Sequence, residues 1–210
     1  MSVELRDEDE QIAAIKQWWD ENGKFVLAAV GLAVAGTFGW EFYQDQQVEA
    51  GAARSSAYQN VLNAANGGTP AELLDAAGLV QQNYADTEYA RLATLFAAKA
   101  LVETDDLDGA AVQLQGLVAG VAVTDPVGAE ARLRLATVQL SQGDHAAALA
   151  TLDDSFSTAY QGRALELRGD ALLASGDRAA AKQAYAQAQA LTQAGELPLL
   201  QLKLDDLADV

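Results

Sequence analysis

The sequence has no cysteine, one histidine, one methionine and three prolines in 210 residues. Without cysteine there are no disulfide staples, thiolate zinc sites or cysteine nucleophiles, and the redox compartment stays open, because such a chain suits an oxidising or a reducing space equally well. A single imidazole, His145, excludes any metal site or catalytic pair that needs two. Positive charge is also scarce: 13 Lys and Arg stand against 30 Asp and Glu, for a net charge of −17. Non-specific nucleic-acid binding runs on clustered cations and has little to work with here. No Walker-type or dinucleotide glycine motif is present, and Gly67-Gly68 reads as a loop ahead of a helix start. Asp105, Asp106 and Asp108 lack the glycine and the terminal glutamate of a calcium loop, and read as a turn and helix cap. No nucleophile, base and orienter occur together, so no cofactor or catalytic site is expected.

What is abundant is apolar side chain, 50% of the chain, and one long apolar run. Phe25 to Trp40 carries no charge and is bounded by Lys24 and Glu41. As a helix it spans roughly 24 Å, a little short of a hydrocarbon core of roughly 30 Å. The flanks favour a membrane: Trp18 and Trp19 precede the run, Trp40, Phe42 and Tyr43 close it, and Lys24 can snorkel outward. A buried core helix, apolar all round, would need more protein around it than this chain can build. The leader is too long and too acidic, with Asp7, Glu8, Asp9 and Glu10, for a cleaved signal peptide. That cluster reads as charge favouring a helix N-terminus. Arg6, Lys16 and Lys24 precede the run and only Arg54 follows closely, which places the N-terminus in the cytoplasm. The expected organisation is a cytoplasmic segment over 1–23, a transmembrane helix over 24–43 and a far-side domain over 44–210. Gly31, Ala35 and Gly39 recur every four residues and form a smooth ridge on which another helix could pack. Ile12, Ile15, Trp18 and Trp19 fall at helical spacing and suit the membrane surface.

Beyond the run, apolar residues recur at three and four positions and Gly or Pro punctuates them, which predicts an all-α domain. Thr69-Pro70-Ala71-Glu72 has the form of a capping box with proline at the first helical position, starting a helix to about Tyr84, and Asp125-Pro126 starts another. The phrase Gly143-Asp144-His145-Ala146-Ala147-Ala148 returns 33 residues later as Gly176-Asp177-Arg178-Ala179-Ala180-Ala181. In each, glycine can end one helix in the left-handed conformation and aspartate can cap the next. The unit resembles the tetratricopeptide repeat, a helical hairpin of about 34 residues. Ala136, Ala148 and Leu152 fill its small and large positions in one copy, and Gly169, Ala181 and Tyr185 in the next. A weaker copy upstream uses Ala98, Asp105 at the turn, Ala110 and Leu114. The leucine-rich segment Pro198 to Ala208 is expected to cap the open end. His145 reads as an exposed turn residue.

A solenoid of such hairpins binds along the face formed by the first helix of each. The repeat pattern assigns to it Leu92, Leu95, Lys99, Val102, Leu133, Thr137, Leu140, Glu166, Asp170 and Leu173. Apolar residues with few charges suit extended, partly unfolded polypeptide; the alternative is that several pack against the terminal helix.

The leader Asp9-Glu10-Gln11-Ile12-Ala13-Ala14-Ile15-Lys16, the phrase Trp18-Trp19-x-Glu21-Asn22-Gly23-Lys24, the Gly39-Trp40 exit, Ser56-Ala57-Tyr58-Gln59-Asn60 and Leu167-Arg168-Gly169-Asp170-Ala171-Leu172-Leu173 together resemble the YfgM family, ancillary subunits of the SecYEG translocon. The resemblance runs essentially end to end. It implies a single-pass type II protein of the bacterial inner membrane with a periplasmic tetratricopeptide-like domain and no enzymatic activity. The implied partners are SecYEG, a membrane-anchored periplasmic chaperone of the prolyl-isomerase class, newly exported unfolded polypeptides and, on the cytoplasmic side, a response regulator. This copy departs from the family in its richness in alanine and acidic residues. The rival classes are a membrane-tethered scaffold for envelope assembly or stress-response regulation, and a hydrolase with an unrecognised site.

Overall fold

A computed structural model describes residues 4–153, 156–191 and 199–209, with side chains from Glu10 onward. Nine helices and no strand occur among them. They fall into two compact units, Met1–Ala53 and Arg54–Val210.

The first unit is the greater part of helix α1 (Glu4–Gly67). It holds the long apolar run, and none of that run is buried by the rest of the chain. Phe25 and Leu32 are each 75% exposed. This is the one helix among the described residues long and apolar enough to cross a membrane. At its two ends the aromatic side chains are exposed. Trp19 lies against the backbone of Gly23, where an added Cβ would sit 3.2 Å from the indole, and the rings of Trp40 and Tyr43 are 6.2 Å apart. A Cβ added at Gly31 or Gly39 would meet nothing within 4 Å, so the ridge they form is open. The helix-terminus reading of Asp7 to Glu10 falls largely on side chains outside those described.

The second unit begins with the last turns of α1 and continues through α2 (Pro70–Asn83), α3 (Glu88–Glu103), α4 (Leu107–Gly120), α5 (Pro126–Ser141), α6 (His145–Thr151), α7 (Thr158–Ala174), α8 (Arg178–Leu191) and α9 (Leu200–Asp205). Each helix from α2 onward packs on its neighbour in sequence, and α5 also touches α3 and α7. The starts obey local chemistry. Thr69 and Glu72 close a reciprocal capping box ahead of Pro70, and Asp125 Oδ1 accepts hydrogen bonds from the amides of Val127 and Gly128 ahead of α5.

The hairpin turns share one geometry. Gly143 and Gly176 adopt φ of +77° and +93°, the amides of Asp144 and Asp177 reach back to the carbonyls of Gln139 and Leu172, and the two carboxylates accept from Ala147 and Ala180. The turn between α3 and α4 is built the same way without glycine. Asp105 takes φ of 63°, the Asp106 amide donates to the Leu101 carbonyl, and Asp106 caps Gly109. Aspartate tolerates this conformation at a cost of about 1 kcal/mol. Asp105→Gly is therefore expected to raise stability by about 1 kcal/mol or less, read as an upward shift in thermal unfolding; a lowered midpoint would contradict the strain.

The repeat positions form the core. Ala98, Ala110, Leu114, Ala136, Ala148, Leu152, Ala181 and Tyr185 are all buried. A Cβ at Gly169 would run into the Tyr185 ring, so the glycine lets α8 close on α7. Of the terminal segment, Pro198 lies outside the described residues. Leu200 and Leu207 bury against Ala181, Tyr185 and Ala188.

Candidate functional site

The residues assigned to the binding face do not all share one surface. Lys99 and Val102 of α3 and Thr137 of α5 come together in a groove of about 350 Å³ between α3, α4 and α5, floored by Ala98, Leu107, Leu114 and Val138. Its charges are paired along their own helices: Lys99 Nζ lies 3.5 Å from Glu103, and Arg134 Nε 2.6 Å from Glu130. The groove is thus apolar at its floor and neutral at its rim.

Leu95 is buried in the core between α3, α4 and α5, with Leu92 packed against it. Leu133 is buried between α5, α6 and α7, with Leu140 beside it. The groove instead uses Arg134, Thr137, Val138 and Ser141, so its register along α5 is shifted by one position at Leu133 and Leu140. Periodicity could not find this, because α5 buries residues almost all the way round. Three aromatic side chains at the end of α1 and on α3 also went unassigned. Tyr58 has its ring centroid 5.2 Å from that of Tyr89 and 6.4 Å from that of Phe96. Burial, then the nearby Tyr89, raises the Tyr58 phenol above its ordinary value.

Glu166, Asp170 and Leu173 lie under α9. Lys203 Nζ sits 2.8 Å from Glu166 Oε1 and 2.7 Å from Asp170 Oδ1, and Arg163 pairs with Glu166 from the other side. The Tyr185 hydroxyl donates to Asp170 Oδ1 at 2.7 Å, and Lys203 Nζ stands 5.6 Å from the centre of that ring. Leu173 packs on the cluster holding Leu200 and Leu207. Burial, then the hydrogen bond to Asp170 and the charges of Asp170 and Glu166, pushes the Tyr185 phenol far up. Glu166 is 2% exposed. Burial alone would raise its carboxyl, but the hydrogen bonds and charges of Lys203 and Arg163 outweigh it and hold the group below its ordinary value. A carboxyl depressed in the folded state adds stability that is complete above its unfolded value and is lost as pH falls through the folded one. Acidification below about pH 4.5 should therefore weaken the α7–α9 contact, and Glu166→Gln should flatten that part of the stability profile. An unchanged slope between about pH 3 and 5, across the ordinary carboxyl range, would contradict it.

A larger cavity of about 540 Å³ lies between α6, α7 and α8, lined by Leu152, Phe156, Ala164, Leu172 and Ala184 with Arg168 at its edge. The neighbouring α6 has 7 residues where α4 and α8 have 14. His145 opens α6 beside the capping carboxylate of Asp144.

A family model described as a tetratricopeptide repeat-like domain matches residues 16–209. A Haemophilus influenzae protein named ancillary SecYEG translocon subunit is 32% identical over 201 residues, covering 96% of this chain and 98% of that protein. The Escherichia coli protein of the same name is 35% identical over 181 residues, 85% of each chain, and the Neisseria gonorrhoeae one 28% over 204 residues, 96% and 97%. No solved structure gives a significant match. With an unburied apolar helix at the N-terminus, three turns of one geometry, and this likeness along nearly the full length, the chain belongs to the YfgM family of ancillary SecYEG translocon subunits.

Proposed function

We propose that the chain is a non-enzymatic, single-pass subunit at the Sec translocon of the inner membrane, with residues 1–23 in the cytoplasm, 24–43 in the bilayer and 44–210 forming a periplasmic tetratricopeptide-like domain. There it binds partner proteins and assists the chaperoning of newly exported polypeptides. The observation that carries this reading is the family likeness over nearly the whole chain, anchor helix included. Orientation rests on Arg6, Lys16 and Lys24 before the span against Arg54 after it. The ridge of Gly31, Ala35 and Gly39 is the surface for contact with the translocon, since small residues let helices approach closely in a bilayer.

The groove of Lys99, Val102 and Thr137 suits an extended, apolar stretch of polypeptide, because its floor is apolar and both of its cations are already matched. A membrane-anchored chaperone of the prolyl-isomerase class and a cytoplasmic response regulator are the further partners in this reading, the latter meeting the acidic leader. The non-enzymatic part is supported by how the carboxylates are used: Asp106, Asp125, Asp144 and Asp177 cap helices, while Glu166 and Asp170 hold Lys203.

A photo-cross-linker at Ala35 in native membranes should yield adducts with translocon subunits, and one at Val102 should capture chains in export. Failure of Ala35, Gly31 and Gly39 alike to give a translocon adduct would sink the assignment.

A further inference from the structure

We infer that the face of α7 and α8 beneath α9 is a docking surface for a partner helix carrying one lysine or arginine within a leucine stripe, and that α9 occupies it in cis as a competitor. The inference deepens, and rests on, the reading that this domain binds partner proteins. It starts from a buried carboxylate: Glu166 is 2% exposed and is held by Lys203 of α9 and by Arg163 of its own helix. Asp170 accepts from the same ammonium group and from the Tyr185 hydroxyl. Around these acceptors the surface is apolar, with Leu165, Leu172, Leu173, Tyr185 and Ala188.

Glu166 keeps Arg163 without α9, but Lys203 is the cation that bridges it to Asp170, and covering that carboxylate pair again without such a cation carries a large penalty. Whatever replaces α9 must therefore bring a cation to the same place. The pattern of α9 and the turn that follows it states the rest of the recognition rule: Leu200 and Leu204 of α9 and Leu207 just past its end fall three before, one after and four after Lys203, and pack on the cluster with Tyr185. An i, i+4, i+7 leucine stripe is the face an amphipathic helix lays into a groove.

The occupant in cis is displaceable. α9 is 6 residues long, and so short a helix has no stability of its own. Further polar ties, from Arg178 to the Asp206 carbonyl, from Lys182 to the Ala208 carbonyl and between Gln189 and Gln201, lie at exposed positions where water competes. A longer partner helix would keep the buried contacts and add to them.

The test uses a fluorescently labelled peptide of residues 199–209 and the full chain in nanodiscs. Lys203→Glu sets a carboxylate against Glu166 and Asp170 and should free the tethered α9. The labelled peptide should then bind this variant about tenfold or more tightly than the wild-type chain, by anisotropy, since one charge contact of about 1.4 kcal/mol changes affinity by that factor. The same peptide with its lysine changed to glutamate should bind neither chain. Lys203→Met, which removes the charge but keeps the stem, serves as the second acceptor and should rank between them. Equal binding to all three chains, no binding to any, or indifference to charge reversal in the peptide would overturn the inference. Loss of the Ala35 cross-links with these rankings intact would sink the translocon assignment alone; the converse pattern would sink the docking surface alone.

Discussion

Replacing Tyr185 with alanine is expected to destabilise the helical domain by about 3–5 kcal/mol, the range for removing a large buried aromatic side chain. Tyr185 is fully buried, its ring fills the space that Gly169 leaves open, and its hydroxyl orients Asp170 towards Lys203. Alanine would open a cavity and release the acceptor that positions the cation, so packing and polar losses fall on one contact. Tyr185→Phe separates them: it keeps the ring and should cost about 1 kcal/mol, the net worth of a single hydrogen bond. Chemical denaturation of the full chain in detergent, followed at the far-ultraviolet helix signal, would show both. Equal losses in the two variants would mean that the ring does not hold α8 to α7.

Leu32→Arg is expected to impair membrane integration more than any substitution outside the apolar run. Leu32 sits near the middle of the run, 75% exposed, with nothing in the chain to cover it. A cation at the centre of a spanning helix costs about 2.5–3.5 kcal/mol on insertion scales, against a gain for leucine. The same change at Gln47, past the aromatic closure, should leave integration intact. Carbonate extraction reads the difference directly. Full retention of Leu32→Arg in the membrane pellet would contradict a spanning role for this stretch.

How much of this was legible in the residues differs from element to element. The hairpins were legible because their turns make narrow demands: a left-handed residue ends one helix and a carboxylate caps the next, and Gly143-Asp144 and Gly176-Asp177 state both in two letters. The upstream copy was fainter because Asp105 stands in the left-handed position, which aspartate can hold but does not advertise. The binding face was the harder part. In a solenoid the inner helices are covered on several sides, so apolar spacing along α5 does not say which stripe meets α6 and α7 and which faces the groove. Leu133 and Leu140 pack inward while Thr137 stays open. Nor does any local pattern pair Lys203 with Glu166, 37 residues away, or reveal the short α6 and the cavity beside α7. Those follow from long-range packing, which composition and periodicity do not encode.

Protease added to intact spheroplasts tests the account's central claim most directly, because it asks whether one apolar helix leaves the helical hairpins outside the cytoplasm. The account predicts that the C-terminal bulk is digested before lysis, leaving a short protected fragment with the N-terminus and the span. A C-terminal domain that survives until the spheroplasts are lysed would contradict it.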